Sequence, residues 1–515
     1  MRRRAFLASV GLAGLSGCTG ILQSSPQSTT TQQTSMTTTT DHPDTSTDEP
    51  TTSASDGPSS MFDATIVDLQ TGPRTYALTP GSYHTPDDGR IQVGFSQTAT
   101  SDHPATLKAS LTNENEYANT FDIHWTPPFG RLTSRIPHPF GDEFAHGDWT
   151  YRAGLVLAPT ENHDLVEDAP AVELSSDGYW RLADGVNQWL PEQVRLDAGE
   201  TVHGEYVVVG RGEGVGTGRP TGVYEFRGID DAGLRLAVWH TDKPGPTAES
   251  RFAGTDVPAI SEEVRTHWYH DADASTPVYV HPSTERASLP EQVAFTVVNK
   301  SREAVGCGHW NLHKLVDGEW FHVGPRVHTS DCRMLPPGGA KTWTLNAYHG
   351  EALPEVDAGG LGGNYGYLGG GRYAVVAGYG NPADQSAALV ELRGNQVRVR
   401  PTDDVTSEID RRTVTVTSPR YGDGQDPPDA TLTLEPVASA DERLIAEQVM
   451  PSGGLRIRPS PVRGLRNTLG FRGPNIDAVV LRTDADVADA AVGYESDARR
   501  FEFRGDAYEL TMQTE

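Results

Sequence analysis

Alternation dominates the pattern of apolar and polar positions between residues 61 and 400. Apolar side chains recur at every second position in several short segments, among them Leu107, Ala109 and Leu111; Phe121, Ile123 and Trp125; and Leu234, Leu236 and Val238. Alternation of this kind predicts β-strands with one buried face. Segments rich in Asn, Gly and Pro separate these runs and favour turns, so the pattern predicts a mainly β fold.

The order of strands and turns is repeated further along the chain. A second series comprises predicted strands at 293–298, 309–316, 342–345 and 373–377, with turns at Asn299-Lys300-Ser301 and Pro336-Pro337-Gly338. We therefore expect two similar β modules, at 61–250 and 251–402. The first has additional residues from 127 to 180 that are rich in aromatic side chains and His, and these predict a long insertion.

The segment Val316-Asp317-Gly318-Glu319 predicts the register of one hairpin. Asp-Gly supplies the positive φ angles of a two-residue type I′ turn, so Val316 should pair with Glu319. The same register places His313 opposite His322 and Leu312 opposite Val323. One face, expected to point into the core, carries Trp310, Leu312, Phe321 and Val323, and the other carries His309, Asn311, His313 and His322.

Four features of residues 291–392 form a set. They are an early strand ending in Asn299, the Asp317-Gly318-Glu319-Trp320 hairpin, the Leu335-Pro336-Pro337-Gly338 turn and the late strand Gly371-Arg372-Tyr373-Ala374-Val375-Val376. Together they resemble the immunoglobulin-like modules of prokaryotic surface lipoproteins. The resemblance implies tandem immunoglobulin-like β-sandwich modules and says little about function, because such sandwiches host many functions.

Residues 403–515 have a different pattern. Strands are predicted around Val414 and at 431–434, 478–481, 501–503 and 508–511. Ser439-Ala440-Asp441-Glu442 matches a capping box and predicts a helix with Leu444, Ile445, Gln448 and Val449 on one side. A second short helix is predicted at 484–492. The sandwiches are therefore expected to be followed by a small α+β domain.

The N-terminus has the features of an export signal. An arginine pair precedes an apolar run at 8–15, which is much shorter than the roughly 20 residues of a membrane-spanning helix. The residues of the signal are Arg3, Arg4, Phe6 and Leu7. They resemble a twin-arginine signal, and Leu15-Ser16-Gly17-Cys18 resembles a lipobox, which implies removal of residues 1–17 and acylation of Cys18. The alternative is an ordinary signal peptide with a chance cysteine.

The segment that follows is expected to be a tether. Between residues 23 and 60, 21 of 38 residues are Ser or Thr and almost none is large and apolar. Such a segment cannot bury enough surface to offset its ordering entropy, so residues 18–60 are predicted to be disordered. The expected location is the extracellular face of the cell membrane, with the membrane as a partner through the N-terminal lipid.

The charge of the chain excludes one class of partner. Acidic residues outnumber basic ones 70 to 42, for a formal charge of −28, which disfavours binding to nucleic acid. Lys occurs only at positions 108, 243, 300, 314 and 341, so nearly all positive charge is Arg. This composition resembles that of proteins from extreme halophiles, and we expect a secreted lipoprotein of a halophilic archaeon.

The sequence contains few candidates for catalytic or metal-binding residues. The chain lacks H-E-x-x-H, G-x-S-x-G, G-x-x-x-x-G-K-[ST] and C-x-x-C, so no catalytic residue and no cofactor are predicted. Outside the cytoplasm Cys307 and Cys332 are expected to form a disulfide, with free thiols or metal ligands as the alternatives. His313 and His322 are either two ligands of one metal ion or a solvated cross-strand pair.

The remaining candidates are surface features. His124, Trp125 and Trp149 belong to an aromatic and His-rich cluster that suits a glycan or a protein partner, or else forms the insertion's own small core. Asn299-Lys300-Ser301 matches the N-glycosylation sequon. Two classes of function remain open: a non-catalytic binding or structural protein of the cell envelope, and an extracellular hydrolase or metal-dependent enzyme with an unrecognised site.

Overall fold

Strands account for 47% of the structure and helices for 7%, which confirms the mainly β fold class. The computed structural model describes residues 65–141, 154–212, 218–228, 233–306, 310–325, 334–353, 362–377, 384–424, 427–450, 462–493 and 496–514. Residues 59–515 belong to one unit in which three successive sets of sheets contact one another.

The first module is a sandwich of two sheets. Its strands are β1 (Ile66–Asp68), β2 (Arg74–Thr79), β3 (Ser82–His84), β4 (Gly89–Gln97), β5 (Ala105–Asn113), β6 (Asn119–Asp122), β7 (Leu155–Pro159), β8 (Val172–Leu174), β9 (Trp180–Leu182), β10 (Gln193–Leu196), β11 (Thr201–Gly210), β12 (Gly222–Arg227) and β13 (Gly233–His240). One sheet has the order β1-β2-β13-β12. The other has the order β3-β4-β5-β11-β9-β8, with β7 also paired to β11, and β6 and β10 form a separate ribbon.

The described part of residues 127–180 is not a separate insertion. Strand β7 pairs antiparallel with β11, and β8 and β9 extend the same sheet. Phe129 and Tyr179 lie in the main core of the first sandwich, so they do not form a small core of their own. Sequence alternation could not reveal this pairing, because it depends on contacts distant along the chain.

The predicted strand through Phe121, Ile123 and Trp125 ends early. Strand β6 stops at Asp122, and a 3-10 helix, Ile123–Trp125, follows it. Phe121 and Ile123 are buried as expected, but the helical turn carries Trp125 away from the core and leaves it 38% exposed.

The second module is also a sandwich. Its strands are β14 (Arg265–Trp268), β15 (Val278–Pro282), β16 (Arg286–Ser288), β17 (Glu291–Asn299), β18 (Val305–Gly306), β19 (Trp310–Val316), β20 (Glu319–Gly324), β21 (Met334–Leu335), β22 (Ala340–Ala347), β23 (Gly362–Tyr365), β24 (Gly371–Ala377) and β25 (Asp384–Arg393). One sheet has the order β14-β25-β24-β19-β20, with β16 paired to β25. The facing sheet has the order β15-β17-β22-β23, and β18 pairs with β21.

The hairpin β19–β20 confirms most of its predicted register. Val316 pairs with Glu319 and His313 with His322, and both turn residues, Asp317 and Gly318, have positive φ. Beyond His313 a bulge shifts the register by one residue. The predicted partner of Leu312, Val323, is therefore wrong: Leu312 pairs with Gly324. The predicted core face is confirmed, since Trp310, Leu312, Phe321 and Val323 are all buried.

The third module has one sheet with helices packed against it. Its strands are β26 (Thr406–Asp410), β27 (Thr413–Thr417), β28 (Asp429–Pro436), β29 (Glu442–Leu444), β30 (Ala478–Asp484), β31 (Ala498–Phe503) and β32 (Asp506–Thr514), and its helices are α1 (Ala446–Val449), α2 (Val462–Leu469) and α3 (Ala485–Val492). The sheet order is β26-β27-β30-β28-β32-β31-β29. Asp484 caps α3 by accepting a hydrogen bond from the amide of Val487, as the predicted helix at 484–492 requires.

The helix predicted from the capping box at 439–442 is wrong in its first half. Residues 442–444 form β29, which pairs parallel with β31, and α1 begins only at Ala446. The strand pairing with Phe501–Phe503 satisfies backbone groups that a helix would otherwise satisfy within itself, so tertiary pairing overrides the local signal.

Contacts join each sandwich to the next module. Gly338 of the second module lies against the first, where a Cβ at this glycine would come within 2.3 Å of the Ala237 Cβ. Arg302 forms an ion pair with Asp68 across the same junction. At the other junction, Lys314 of β19 forms a buried ion pair with Glu447 of α1.

Candidate functional site

A pocket of about 190 Å³ opens in the first module beside the ribbon of β6 and β10. Strand β3 and the turn after it form one wall, and β6 with its 3-10 helix forms the other. A cavity of roughly 150 Å³ holds benzene, so this pocket has room for about one six-membered ring. Its lining comprises Tyr83, Thr85, Pro86, Asp87, Leu111, Phe121, Asp122, Trp125, Thr126 and Pro127.

Of the two exposed Trp and Tyr side chains of the described chain, one lines this pocket and the other lies in the turn before β6. Trp125 is 38% exposed and lines it, and Tyr117, in the preceding turn, is 64% exposed. The turn is tied to the pocket, because the side-chain amides of Asn115 and Asn119 donate to the carbonyl oxygen of Asp87 at 2.9 and 3.4 Å. Tyr117 and Trp125 therefore flank the two ends of β6.

One face of Trp125 is already covered. The guanidinium carbon of Arg131 lies 3.6 Å from the centre of the indole, and the His124 ring meets the indole edge-on with 5.0 Å between ring centres. Arg131 on an aromatic face contributes a cation–π contact that holds the indole in place. Arg131 and His124 therefore hold the Trp125 side chain in place, and the rest of its surface lines the pocket.

The charged groups of the pocket lining are two carboxylates. Asp87 and Asp122 are exposed, and neither forms an ion pair with another described residue. Tyr83 donates its hydroxyl hydrogen to the carbonyl oxygen of Pro127, and burial raises the pKa of its phenol. The pocket thus combines apolar walls with two carboxylates at its rim.

The sequence pattern predicts only part of this site. His124 and Trp125 are predicted ligand-face residues, but only Trp125 lines the pocket; Trp149 lies outside the described residues. Tyr83 and Asp87 come from a separate segment, and nothing in their local pattern marks them. Tyr117 has a signal that could have been used, because it is one aromatic residue in the polar turn Asn113-Glu114-Asn115-Glu116 and Ala118-Asn119.

His124 and His138 lie apart from one another. His138 is buried, with its Nε2 3.4 Å from the Oε1 of Glu225, and Arg227 binds the other oxygen of this carboxylate at 2.6 Å. His124 contacts Trp125 instead. The structure therefore does not bring His124 and His138 into one pocket with carboxylates.

The hairpin histidines form a pair but not a described metal site. The rings of His313 and His322 are 5.3 Å apart, and His322 Nε2 lies 3.2 Å from the side-chain oxygen of Asn311. Burial, and to a lesser degree the neighbouring His322, lowers the pKa of His313 to about 4. Across the described residues no group of three or more His, Cys, Asp or Glu is arranged to hold a metal ion; His309 lies outside them.

Asn299 is packed in a way that argues against the predicted glycosylation. The residue has no exposed surface, and its amide nitrogen donates to the carbonyl oxygens of Glu303 and Leu335 at 2.8 and 2.9 Å. A glycan would have to replace a hydrogen of this amide nitrogen, and the buried side chain leaves no space for it. In the folded module the Asn299 side chain therefore has a structural role.

Cys307 and Cys332 lie outside the described residues, so their disulfide stays a prediction. The described residues nearest to them in sequence pair with one another, Val305 with Leu335 and Gly306 with Met334.

The residues of the predicted export signal and lipid attachment, Arg3, Arg4, Phe6, Leu7 and Cys18, also lie outside the described residues. Of the helices that the structure does describe, none is long and apolar enough to cross a membrane.

No family model and no curated protein matches the chain. Similar solved structures include a β-glucosidase from Listeria innocua (16% identity, 23% of this chain, 16% of that chain, TM-score 0.14) and red sea bream transglutaminase (10%, 59%, 31%, 0.12). A protein described as membrane-anchored from Corynebacterium diphtheriae is 8% identical over 85% of this chain and 86% of its own, with a TM-score of 0.13. The chain spans less than a third of the first two, and likenesses this weak carry no argument.

Proposed function

We propose that the protein is a lipid-anchored surface protein of a halophilic archaeon that binds a component of the cell envelope, a glycan or a protein, without catalysing a reaction. The observation that supports the binding role is the position of the exposed aromatics. Tyr117 and Trp125 are the most exposed of the described Phe, Trp and Tyr side chains; Trp125 lines the 190 Å³ pocket, and Tyr117 lies in the turn before β6. Exposed aromatic groups beside a concave site are typical of recognition surfaces.

The anchoring role is supported by the residues at the N-terminus. An arginine pair, a short apolar run and Cys18 occur in the order that a lipoprotein signal requires. Replacing Cys18 with Ser should release the protein from the membrane fraction. Retention of Cys18→Ser in the membrane would show that the anchor is wrongly assigned.

Binding is tested by sedimentation with washed cell envelopes. The full-length Cys18→Ser protein is mixed with envelopes in 3 M KCl, and the bound fraction is measured as a function of envelope amount. We expect Trp125→Ala to lose most of this binding. Leu174→Ala is the matched control, because Leu174 is also 38% exposed and does not line the pocket.

Two results would count against the binding role. One is binding of Trp125→Ala equal to that of the parent protein, and the other is the same loss in Leu174→Ala. In the second case a general change in the surface, and not the pocket, would explain the effect.

A further inference from the structure

The Trp125 pocket has the chemistry of a site for uncharged carbohydrate, and we infer that its ligand is a neutral sugar ring within a longer glycan. This inference rests on the proposed binding function and specifies its ligand. Four observations carry it: the size of the pocket, its apolar walls, its two carboxylates and the position of Tyr117.

The walls fit the apolar face of a sugar. Leu111 and Phe121 are buried at the base, and the rings of Tyr83 and Trp125 line the sides. The pocket admits about one six-membered ring, and its volume is smaller than the 300–1,000 Å³ of most sites for drug-sized ligands. A pyranose has C–H groups on its faces and hydroxyl groups at its edge, so its face can lie on an aromatic wall while its edge reaches the rim.

The rim selects for hydrogen-bond donors. Ionised carboxylates only accept hydrogen bonds, so Asp87 and Asp122 require a ligand that supplies hydrogens. Sugar hydroxyls do so, and bonds to a charged acceptor are stronger than neutral ones. Uronate, sulfate and phosphate groups would lie beside two carboxylates and be repelled. The same carboxylates therefore favour a neutral glycan over an acidic one.

A cationic ligand is the main competitor. Carboxylates beside aromatic rings also suit an ammonium group. However, the guanidinium of Arg131 already occupies one face of Trp125, 3.6 Å from its centre, so that face is closed to an ammonium group. The cationic probe in the test below separates this ligand from a neutral sugar.

The site extends beyond the single ring. Tyr117 lies two residues before β6 and Trp125 three residues after it, so the two aromatics are separated by the length of a four-residue strand. Because a strand rises about 3.3 Å per residue, the length of β6 exceeds that of one sugar ring. A sugar ring held at Trp125 therefore does not reach Tyr117. Tyr117 is then positioned to contact a later unit of the same glycan.

The test measures binding of trisaccharides to the full-length Cys18→Ser protein by tryptophan fluorescence and by saturation-transfer NMR. The neutral probes are mannotriose, cellotriose and N-acetylchitotriose; the acidic probe is trigalacturonate and the cationic probe is chitotriose. We expect at least one neutral probe to bind. Trp125→Ala should weaken it at least roughly tenfold, as truncation of a central aromatic contact does, and Leu174→Ala should leave it unchanged.

Further variants separate the contributions. Tyr117→Ala should weaken the trisaccharide but not the corresponding monosaccharide. The Asp87→Asn, Asp122→Asn double variant keeps two acceptors without charge, so it should retain neutral binding within about tenfold and bind trigalacturonate more tightly than the parent does.

Three outcomes would overturn the inference. They are binding of trigalacturonate as tight as that of the neutral probes, binding of chitotriose alone, and no binding of any probe at 10 mM. In each case Trp125-dependent sedimentation with envelopes would still support the proposed function. Loss of that dependence, with neutral sugars bound elsewhere, would instead contradict the proposed function.

Discussion

Asn113 and Asn299 occupy the same position in the two sandwiches. Each ends the strand that pairs with the following long strand, β5 with β11 and β17 with β22, and each is fully buried. The amide nitrogen of Asn113 donates to the carbonyls of Tyr117 and Leu196, and that of Asn299 to those of Glu303 and Leu335. In both cases the acceptors include the residue four positions later and a Leu; the Asn113 amide also donates to the carbonyl of Asp197 at 3.0 Å.

The turn that closes this arrangement is also the same. The amides of Gly199 and Gly338 donate to the carbonyls of Asn113 and Asn299, and both glycines have a φ of 74°. This conformation favours glycine over residues with a Cβ. The agreement of side-chain bonds, main-chain bonds and φ angle supports the internal repeat that the order of strands predicts.

A second matched pair is formed by two tyrosines. The hydroxyl of Tyr224 donates to the carbonyl of Pro220 at 2.9 Å, and that of Tyr373 to the carbonyl of Gly369 at 2.8 Å. Each tyrosine lies near the start of its strand, β12 or β24. A tyrosine that bonds back to the main chain a few residues upstream is a feature of immunoglobulin-like sandwiches.

Replacing Asn299 with Ala should lower the free energy of unfolding by about 2–4 kcal/mol, because it leaves two carbonyl oxygens without their donor. Urea unfolding measures the change. Asn113→Ala should have an effect of similar size. Ser301→Ala is the control: it removes the sequon and the bonds from the Ser301 hydroxyl to the Asn299 side-chain oxygen and the Glu303 carbonyl, but it keeps both bonds from the Asn299 amide, so its cost should be smaller. If loss of a glycan caused the effect, Ser301→Ala would reproduce the whole of it.

The contributions of Lys314 and Glu447 to the free energy of unfolding should depend strongly on each other. They are 8% and 3% exposed, and Glu447 also accepts a hydrogen bond from the amide of Gly369 at 3.2 Å. Removing one partner leaves a buried charge, so Lys314→Met or Glu447→Gln should each cost about 3–5 kcal/mol. The double variant should recover much of this loss in a double-mutant cycle. Additive effects of the two changes would contradict the predicted coupling.

The exposed ion pair of Arg443 with Asp317 provides the comparison. It joins the same two modules, but Asp317 is 73% exposed and solvent screens the pair. Arg443→Ala should therefore cost only about 0–1 kcal/mol. If Arg443→Ala lowered the free energy of unfolding as much as Lys314→Met does, burial would not explain the different strengths predicted for the two ion pairs.

The limits of sequence analysis are clear in the hairpin that carries Lys314. The Asp317-Gly318 turn predicts the register up to His313, because turn geometry is local. The bulge beyond it has no local sequence signal, and the buried partner of Lys314 is Glu447, 133 residues away. For the same reason Trp125 is the one lining residue of the pocket that the sequence predicts. Strands β3 and β6 are neighbours only in the folded structure, and no local pattern indicates that Tyr83 lies near Trp125.

Acid should destabilise the first module through His163. Burial lowers the pKa of His163 to about 4; its Nδ1 accepts from the amide of Leu165 and its Nε2 bonds the hydroxyl of Tyr206 at 2.7 Å. The unfolded residue titrates near 6.5, so its stabilisation is complete above that pH and is lost as the pH falls toward 4. At pH 5 the loss should be about 2 kcal/mol.

The measurement is the urea midpoint between pH 7 and pH 5, a window above the usual titration of Asp and Glu. His163→Gln removes the titrating group, so its stability should change less over this window even if it is less stable throughout. An equally steep pH dependence in His163→Gln would contradict the assignment. His313, whose pKa is also about 4, contributes in the same direction.

Cys307 and Cys332 should be joined in the mature protein. The bond would close a loop of about 25 residues and contribute roughly 3 kcal/mol by the chain-entropy model. Mass spectrometry after alkylation without reduction should find neither thiol modified. Alkylation of both cysteines would exclude the bond, and Cys307→Ser, Cys332→Ser should then be as stable as the parent protein.

Salt should stabilise the folded body, because the acidic surface repels itself. Removal of residues 1–17 takes away three Arg and no acid, which leaves a formal charge of −31. Three of the five lysines, Lys300, Lys314 and Lys341, lie over aromatic rings at 4.8–5.5 Å, so they contribute to packing as well as to charge. The rest of the positive charge that offsets the acidic side chains is Arg, including exposed ion pairs such as Arg286 with Glu391.

Two effects of salt oppose each other, and their sizes decide the outcome. Screening weakens exposed ion pairs, each worth about 0–1 kcal/mol, but it also weakens repulsion among the excess acids, which acts over the whole surface. The screening length falls from about 10 Å at 0.1 M to about 3 Å at 1 M, so most of the gain should occur below 1 M. Thermal melts of the Cys18→Ser protein from 0.1 to 3 M KCl should show Tm rising steeply and then levelling. A Tm that does not change with salt would contradict the halophilic interpretation, and a steady rise up to 3 M would point to exclusion of salt from the surface instead of screening.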